Sequence, residues 1–183
     1  MKQLIQDLLE KDKKLSGAII LPEKSKFLRT TAAILAHSGD SWFWLAGLFI
    51  IWVLSNGVLH RHAALLAAAI VFQACLVLGI KFLIKRQRPE GNWGAIYRNT
   101  DPHSFPSGHA VRGIMLAVLT WGLGFPYLGL VLLIWGLMVS TARVMLGVHF
   151  LVDVIAGWLL GILLALFFIW SQPFWYRTFP FVF

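Results

Sequence analysis

Five apolar stretches, at about residues 42–59, 63–80, 110–124, 126–145 and 150–170, leave this chain few folds to adopt. Residues 41–80 carry one charged side chain, Arg61, and residues 113–183 carry three, Arg143, Asp153 and Arg177. Some stretches fall short of the roughly 20 residues that cross a bilayer, but interfacial aromatics border them. With 58% hydrophobic and 13% charged residues in 183, the chain is too apolar for a soluble surface. The expectation is an all-α fold: a multi-pass transmembrane helical bundle of about five spans, or six, with an N-terminal amphipathic interfacial helix.

Two regions follow. Residues 1–40 form an amphipathic interfacial N-terminal segment, and residues 41–183 form a transmembrane domain whose polar motif core is 81–153. Within the first, Leu4, Ile5, Leu8, Leu9 and Leu15 fall near one helical face, with Lys2, Asp7, Glu10, Lys11, Lys13 and Lys14 largely elsewhere. Such a helix lies on a membrane surface or caps the bundle. It lacks the apolar core of a signal peptide, and Phe27 to His37 is too short to cross alone. Within the second, residues 60–62 form one link and Gly124-Phe125-Pro126 a tight turn between antiparallel spans. Gly157 and Gly161 make a GxxxG pair that reads as bundle packing rather than a dimer interface. The single Cys75, in an apolar run, reads as packing and excludes an internal disulfide.

The net charge of +8 suggests nucleic acid, anionic lipid or a phosphorylated substrate. A nucleic-acid binder spreads its cations over a solvated face, which this chain does not, so no nucleic-acid partner is expected. Threading five spans gathers the unusual polar residues at one end: Lys81 and Arg88 after the second span, Ser107 and His109 opening the third, Arg143 ending the fourth, His149 and Asp153 opening the fifth. Charges inside or beside a bundle are costly unless paired or functional. Twelve Lys and Arg lie on that side in residues 1–40 and 81–101, against Arg61 and Arg177 opposite, and positive-inside bias places that side in the cytoplasm.

At helical spacing, Asp153 can accept a hydrogen bond from one ring nitrogen of His149, leaving the other as nucleophile or base. A structural His–Asp contact would look the same. Ser107 can cap the third span, or the exposed N–H groups there can face an anion, with Gly108 allowing close approach. Lys81, Arg88 and Arg143 can surround one phosphoryl group; Lys81 can also simply snorkel. Lys85, Arg86 and Arg98 read as headgroup contacts or solvated charge. Trp93 and Tyr97 read as interfacial anchors or the border of an entrance.

Lys81-FLIKRQ-Arg88-Pro89, Pro106-Ser107-Gly108-His109 and Ala142-Arg143-VMLGV-His149-FLV-Asp153 together resemble the type 2 phosphatidic acid phosphatase superfamily, which shares its site with vanadium haloperoxidases and glucose-6-phosphatase. One position departs from the pattern: Ala142 replaces a Ser, so that hydrogen bond is missing or comes from Ser140 or Thr141. The resemblance implies a metal-independent phosphatase with no cofactor. His149 would attack phosphorus and form a phosphohistidine, Asp153 would orient its ring, and His109 would protonate the leaving oxygen and then activate water. Lys81, Arg88, Ser107, Gly108 and Arg143 would hold the phosphoryl oxygens. Phosphoryl transfer needs chiefly positioning and charge stabilisation, which fixed cations supply.

A site at the membrane interface implies a lipid phosphate substrate: phosphatidylglycerol phosphate, phosphatidic acid, an isoprenoid phosphate or diphosphate such as undecaprenyl diphosphate, or a phosphorylated glycolipid. Membrane lipids are the other expected partners, in a bacterial inner or cytoplasmic membrane. A lipid-to-lipid phosphotransferase would use the same motifs. A transporter or metal-binding protein using Asp101, His103, His109, His149 and Asp153 is the non-enzymatic alternative, opposed by three cations beside that cluster.

Overall fold

The computed structural model describes residues 2–90 and 101–183, so Trp93, Tyr97 and Arg98 lie outside the described residues. Among the described residues the architecture is all-α, with one isolated bridge between Gln87 and His103. The described residues form seven helices, in order α1 (Lys2–Ile19), α2 (Lys26–His37), α3 (Ser41–Leu54), α4 (Gly57–Ile84), α5 (Gly108–Gly122), α6 (Pro126–Met145) and α7 (Leu151–Thr178). The five apolar stretches fall on α3 to α7. By length and composition α4, α6 and α7 can cross a membrane, and the α2–α3 pair, bent by 47°, adds a fourth if it counts as one broken span. α5 has 15 residues and does not reach crossing length.

α5 is the core of the bundle. Val111, Met115 and Leu119 are buried, as are Ala110 and Leu116, so the helix is covered all round, as an interior helix must be. α6 and α7 approach it closely because glycines line both contacts. A Cβ on Gly113 would lie 2.8 Å from Gly136 Cα, and one on Gly161 would lie 2.6 Å from the Val111 carbonyl oxygen. The GxxxG pair therefore packs α7 on α5 inside the bundle. Outward, α4, α6 and α7 expose Phe72, Leu78, Leu83, Leu137, Met138, Leu159 and Leu163, the apolar surface of a membrane protein.

One expectation needs correcting, and the docking of α1 adds a detail that the sequence left open. The link expected at residues 60–62 lies instead at Ser55 and Asn56, and Gly57, which opens α4, has φ +63°, a left-handed backbone that suits a residue without Cβ. His60, Arg61 and His62 sit within α4: His60 Nδ1 is 2.7 Å from the Trp52 carbonyl oxygen, and the Arg61 guanidinium lies 5.8 Å from the Tyr176 ring centre. α1 docks by its polar face, not its apolar one. Asp12 and Ser16 are buried while Leu8, Leu9 and Leu15 are exposed. Ser16 Oγ accepts the Leu151 N–H at 2.9 Å and Asp12 Oδ1 accepts the Val152 N–H at 3.2 Å, so α1 satisfies donors left open at the start of α7.

Candidate active site

Four helix ends meet at one place because α4 and α6 finish where α5 and α7 begin. A cavity of about 190 Å³ lies there, its wall including Lys81, Asp101, Gly108, His109, Arg112, Arg143 and His149. Arg88 and Asp153 stand behind the wall, against His149, and Ser107 precedes Gly108 at the N-cap of α5. Each expected site residue is thus at this end. A larger groove of about 1080 Å³ between α2 and α3 is apolar, lined by Ile34, Phe43, Trp44 and Leu48 among others, and does not hold the cluster.

His149 lies in the turn before α7 rather than on the helix, and is 2% exposed. Its Nδ1 is 3.6 Å from Asp153 Oδ2, beyond normal hydrogen-bond length, and its Nε2 is 3.3 Å from Arg88 Nη1. Burial first, then Arg88, Arg143 and Lys81, pushes this imidazole well below its ordinary pKa. A ring held neutral by surrounding cations keeps a lone pair for nucleophilic attack.

Asp153 has a second partner that sequence reasoning missed. Arg86, expected as a headgroup contact, donates from Nη1 to Asp153 Oδ1 at 2.6 Å and from Nη2 to Asp12 Oδ2 at 2.5 Å, and its guanidinium covers the Phe150 ring at 4.3 Å. The Phe150 N–H donates to Asp153 Oδ2 at 2.9 Å. Two carboxylates from α1 and α7 draw the guanidinium inward, since both would otherwise be buried without compensation. Lys85 remains exposed.

Two of the phosphate-binding candidates, Lys81 and Arg88, converge on one carboxylate oxygen. Lys81 is buried, so it does not snorkel, and it pairs with the Asp101 carboxylate. Arg88 donates from Nη2 to the same Asp101 oxygen at 2.7 Å, from Nε to the Asp101 carbonyl at 2.7 Å and from Nη1 to the Val148 carbonyl at 3.0 Å. That carboxylate occupies the position in which two cations can take a phosphoryl oxygen. Arg112, which sequence reasoning left without a role, adds a fourth cation. It is buried and bonded to the Gly39 carbonyl, Ser41 Oγ at 2.6 Å and Gln73 Oε1 at 3.4 Å.

Ser107 does not cap α5 with its side chain; its buried Oγ has no hydrogen-bond partner among the described residues, while its backbone N–H reaches the Asp153 carbonyl at 3.0 Å. Leaving a hydroxyl so costs roughly 1–3 kcal/mol, which favours the anion-binding reading over plain capping. At the departing position neither substitute serves. Ser140 Oγ donates to Gly136 O at 2.6 Å and accepts from Trp158 Nε1 at 3.0 Å, while exposed Thr141 bonds Leu137 O at 2.8 Å. Ala142 packs with Ala32, Ala33 and Ala36 of α2, so its methyl group is used in the core. His103 stacks edge-on against Phe82, and among the described residues no group of three His, Cys, Asp or Glu is arranged to hold a metal ion.

An all-α membrane bundle with this site is the class of protein that the geometry defines. The family model of the PAP2 superfamily matches residues 62–177, and the chain belongs to that superfamily. It is 38% identical over 106 residues to an undecaprenyl-diphosphatase of Sulfolobus acidocaldarius, covering 50% of this chain and 47% of that protein. It is 38% identical over 71 residues to the bacitracin transport permease protein BcrC of Bacillus licheniformis, covering 39% and 34%. The matches thus span half or less of these curated relatives. In fold the chain is similar to a PAP2-type phosphatidylglycerolphosphate phosphatase of Bacillus subtilis (TM-score 0.71, 24% identity, 91% of this chain and 87% of that one). It is also similar to Aquifex aeolicus LpxE (TM-score 0.66, 21% identity, 88% and 93%).

Proposed function

We propose that this protein is a membrane phosphatase that removes phosphate from a lipid phosphate or diphosphate without a metal ion. The observation that carries the reading is His149, buried between Asp153 and Arg88, on the wall of a cavity shared with Lys81, Arg143, Arg112 and His109. His149 Nε2 attacks phosphorus, the bond to the leaving oxygen breaks, and His109 gives that oxygen a proton. Water then attacks the phosphohistidine, His109 takes its proton, and inorganic phosphate leaves as His149 is regenerated. Lys81, Arg88, Arg143, the Ser107 hydroxyl and the N–H groups at Gly108 stabilise the oxygens in both steps. Such a cluster of cations repels a divalent metal.

The lipid character of the substrate follows from the position of the cavity at the end of apolar helices. The groove between α2 and α3 ends at His37 and Ser38, beside the site, and would take an alkyl chain. Isoprenoid diphosphates and phosphatidylglycerol phosphate, named in the relatives, are the first substrates to test. In this reading residues 41–183 are the catalytic domain, and α1 rests its exposed Leu8, Leu9 and Leu15 on the membrane surface. The charge bias supports a site on the cytoplasmic side of a cell membrane. Cysteine labelling at exposed positions 24 and 181, in a Cys75→Ala background, reads that orientation.

Purified protein in detergent is expected to release phosphate from a panel of lipid phosphates and diphosphates in the presence of EDTA, with vanadate as inhibitor. Acid quenching should trap a phosphorylated His149. A phosphorylated lipid acceptor without free phosphate would instead mark a transferase, and loss of all activity in EDTA would overturn metal independence.

A further inference from the structure

The two histidines are held by opposite ring nitrogens. His149 turns Nδ1 toward Asp153, whereas His109 places Nε2 at 2.8 Å from Oδ1 of Asp40. Asp40 lies outside the motif core, in the break between α2 and α3, and no motif on this chain points to it.

Three observations separate this contact from a chance one. Asp40 is the N-cap of α3, where an Asp normally accepts a backbone N–H of the first turn, yet it makes no such bond. Its oxygens go to His109 Nε2 and, at 3.1 Å, to His37 Nδ1. The break is also gripped from α5: Arg112, one turn beyond His109, bonds the Gly39 carbonyl and Ser41 Oγ, the residues on either side of Asp40. Finally, the backbone at Gly39 lies against the imidazole, because a Cβ there would come within 2.8 Å of His109 Cδ2 and 2.9 Å of Val139 Cγ1. One helix thus presents both the histidine and the arginine that pins its carboxylate partner.

We propose that Asp40 is the positioning carboxylate of His109, forming a second His–Asp dyad that complements the one at His149. Asp40 accepts the Nε2–H, fixes the tautomer and leaves Nδ1 for the leaving oxygen. When His109 carries its proton, Asp40 balances a charge that Arg112 and Arg143 oppose. In the reaction it gains and loses no proton; it orders the group that does. This inference rests on the phosphatase reading.

The test compares two substrates on the full chain in detergent micelles: an alkyl phosphate, whose leaving oxygen needs a proton, and a nitrophenyl phosphate of the same chain length, whose leaving group does not. The readout is kcat/KM, which reports formation of the phosphohistidine. Asp40→Asn and Asp40→Ser both keep a good N-cap for α3, so the helix start survives. Each is expected to lower kcat/KM on the alkyl phosphate by roughly 10²-fold or more and to leave the nitrophenyl substrate nearly unchanged. A nitrophenolate burst should then appear, because hydrolysis of the phosphohistidine still needs His109. His109→Ala should show the same split, and Asp40→Glu should restore part of the loss. Equal loss on both substrates, or none on either, overturns the role of Asp40. Failure of the unmodified protein to release phosphate from either substrate overturns the phosphatase reading itself.

Discussion

The two ends of the bundle are built from the same apolar helices but satisfy their polar groups in different ways. At the site end, buried charges tie distant elements together: Arg86 joins α1 to α7, Arg88 joins the loop after α4 to the turn of His149, and Arg112 joins α5 to the α2–α3 break. At the other end the partners are neutral and aromatic. Trp52 Nε1 donates to the Val182 carbonyl at 2.8 Å, and Trp175 stacks between Phe168 and Phe179 with ring centres 5.6 and 6.0 Å apart. A neutral hydrogen bond contributes about 1 kcal/mol net, whereas a buried charge stripped of its partner costs several. The far end closes the bundle, while the site end holds charges that repel one another and needs every one of its connections.

The largest expected effect is that of His149→Ala, which removes the proposed nucleophile. Phosphate release should fall by up to about 10⁶-fold, and residual activity near the unmodified rate would remove His149 from the mechanism. Next comes Arg88→Gln, expected to lower kcat/KM by roughly 10²–10³-fold. It also tests the electrostatics. Burial and three cations keep His149 neutral well below the ordinary histidine range, so activity should persist into acid. Losing Arg88 raises that pKa, and the acid limb of the kcat/KM profile should move to higher pH. An unshifted limb would show that Arg88 does not set the protonation of His149. The linked stability has the same sign: the unfolded histidine takes a proton that the folded one refuses, so this contribution is complete above the unfolded pKa and is lost as pH falls toward the folded one.

Arg86→Met leaves Asp12 and Asp153 buried without their shared partner and should cost about 3–5 kcal/mol, visible as a lower Tm and looser docking of α1 in hydrogen exchange. A neutral result would return Arg86 to the headgroup role that its sequence position suggests. Smallest is Trp52→Phe at the far end, which cuts one neutral hydrogen bond. It should cost about 1 kcal/mol and leave phosphate release unchanged; a catalytic defect there would mean that the two ends are coupled.

The spacing of the motif residues was enough to locate Lys81, Arg88, Ser107, Gly108, His109, Arg143, His149 and Asp153 at one end, because successive antiparallel helices bring alternate ends together whatever their packing. Ser107 shows where that reasoning stops. A serine before an apolar helix reads as a cap, and only the geometry shows its hydroxyl without a partner among the described residues. Arg86 was misjudged because its partners, Asp12 and Asp153, lie 74 and 67 residues away. Asp40 was missed for the same reason: its neighbours in sequence make it an ordinary N-cap, and its relation to His109 spans 69 residues.

Hydropathy and local spacing by themselves determined an all-α membrane chain, with apolar stretches on α3 to α7, and the chemical groups at its polar end. These are properties of consecutive residues, and a bilayer converts them directly into helices. Tertiary structure decided which carboxylate serves which histidine, that α1 docks by its polar face, and that Arg86 and Arg112 are drawn inside. Those outcomes depend on compensating buried charge, and the compensating group can come from any part of the chain that the fold brings within about 3 Å.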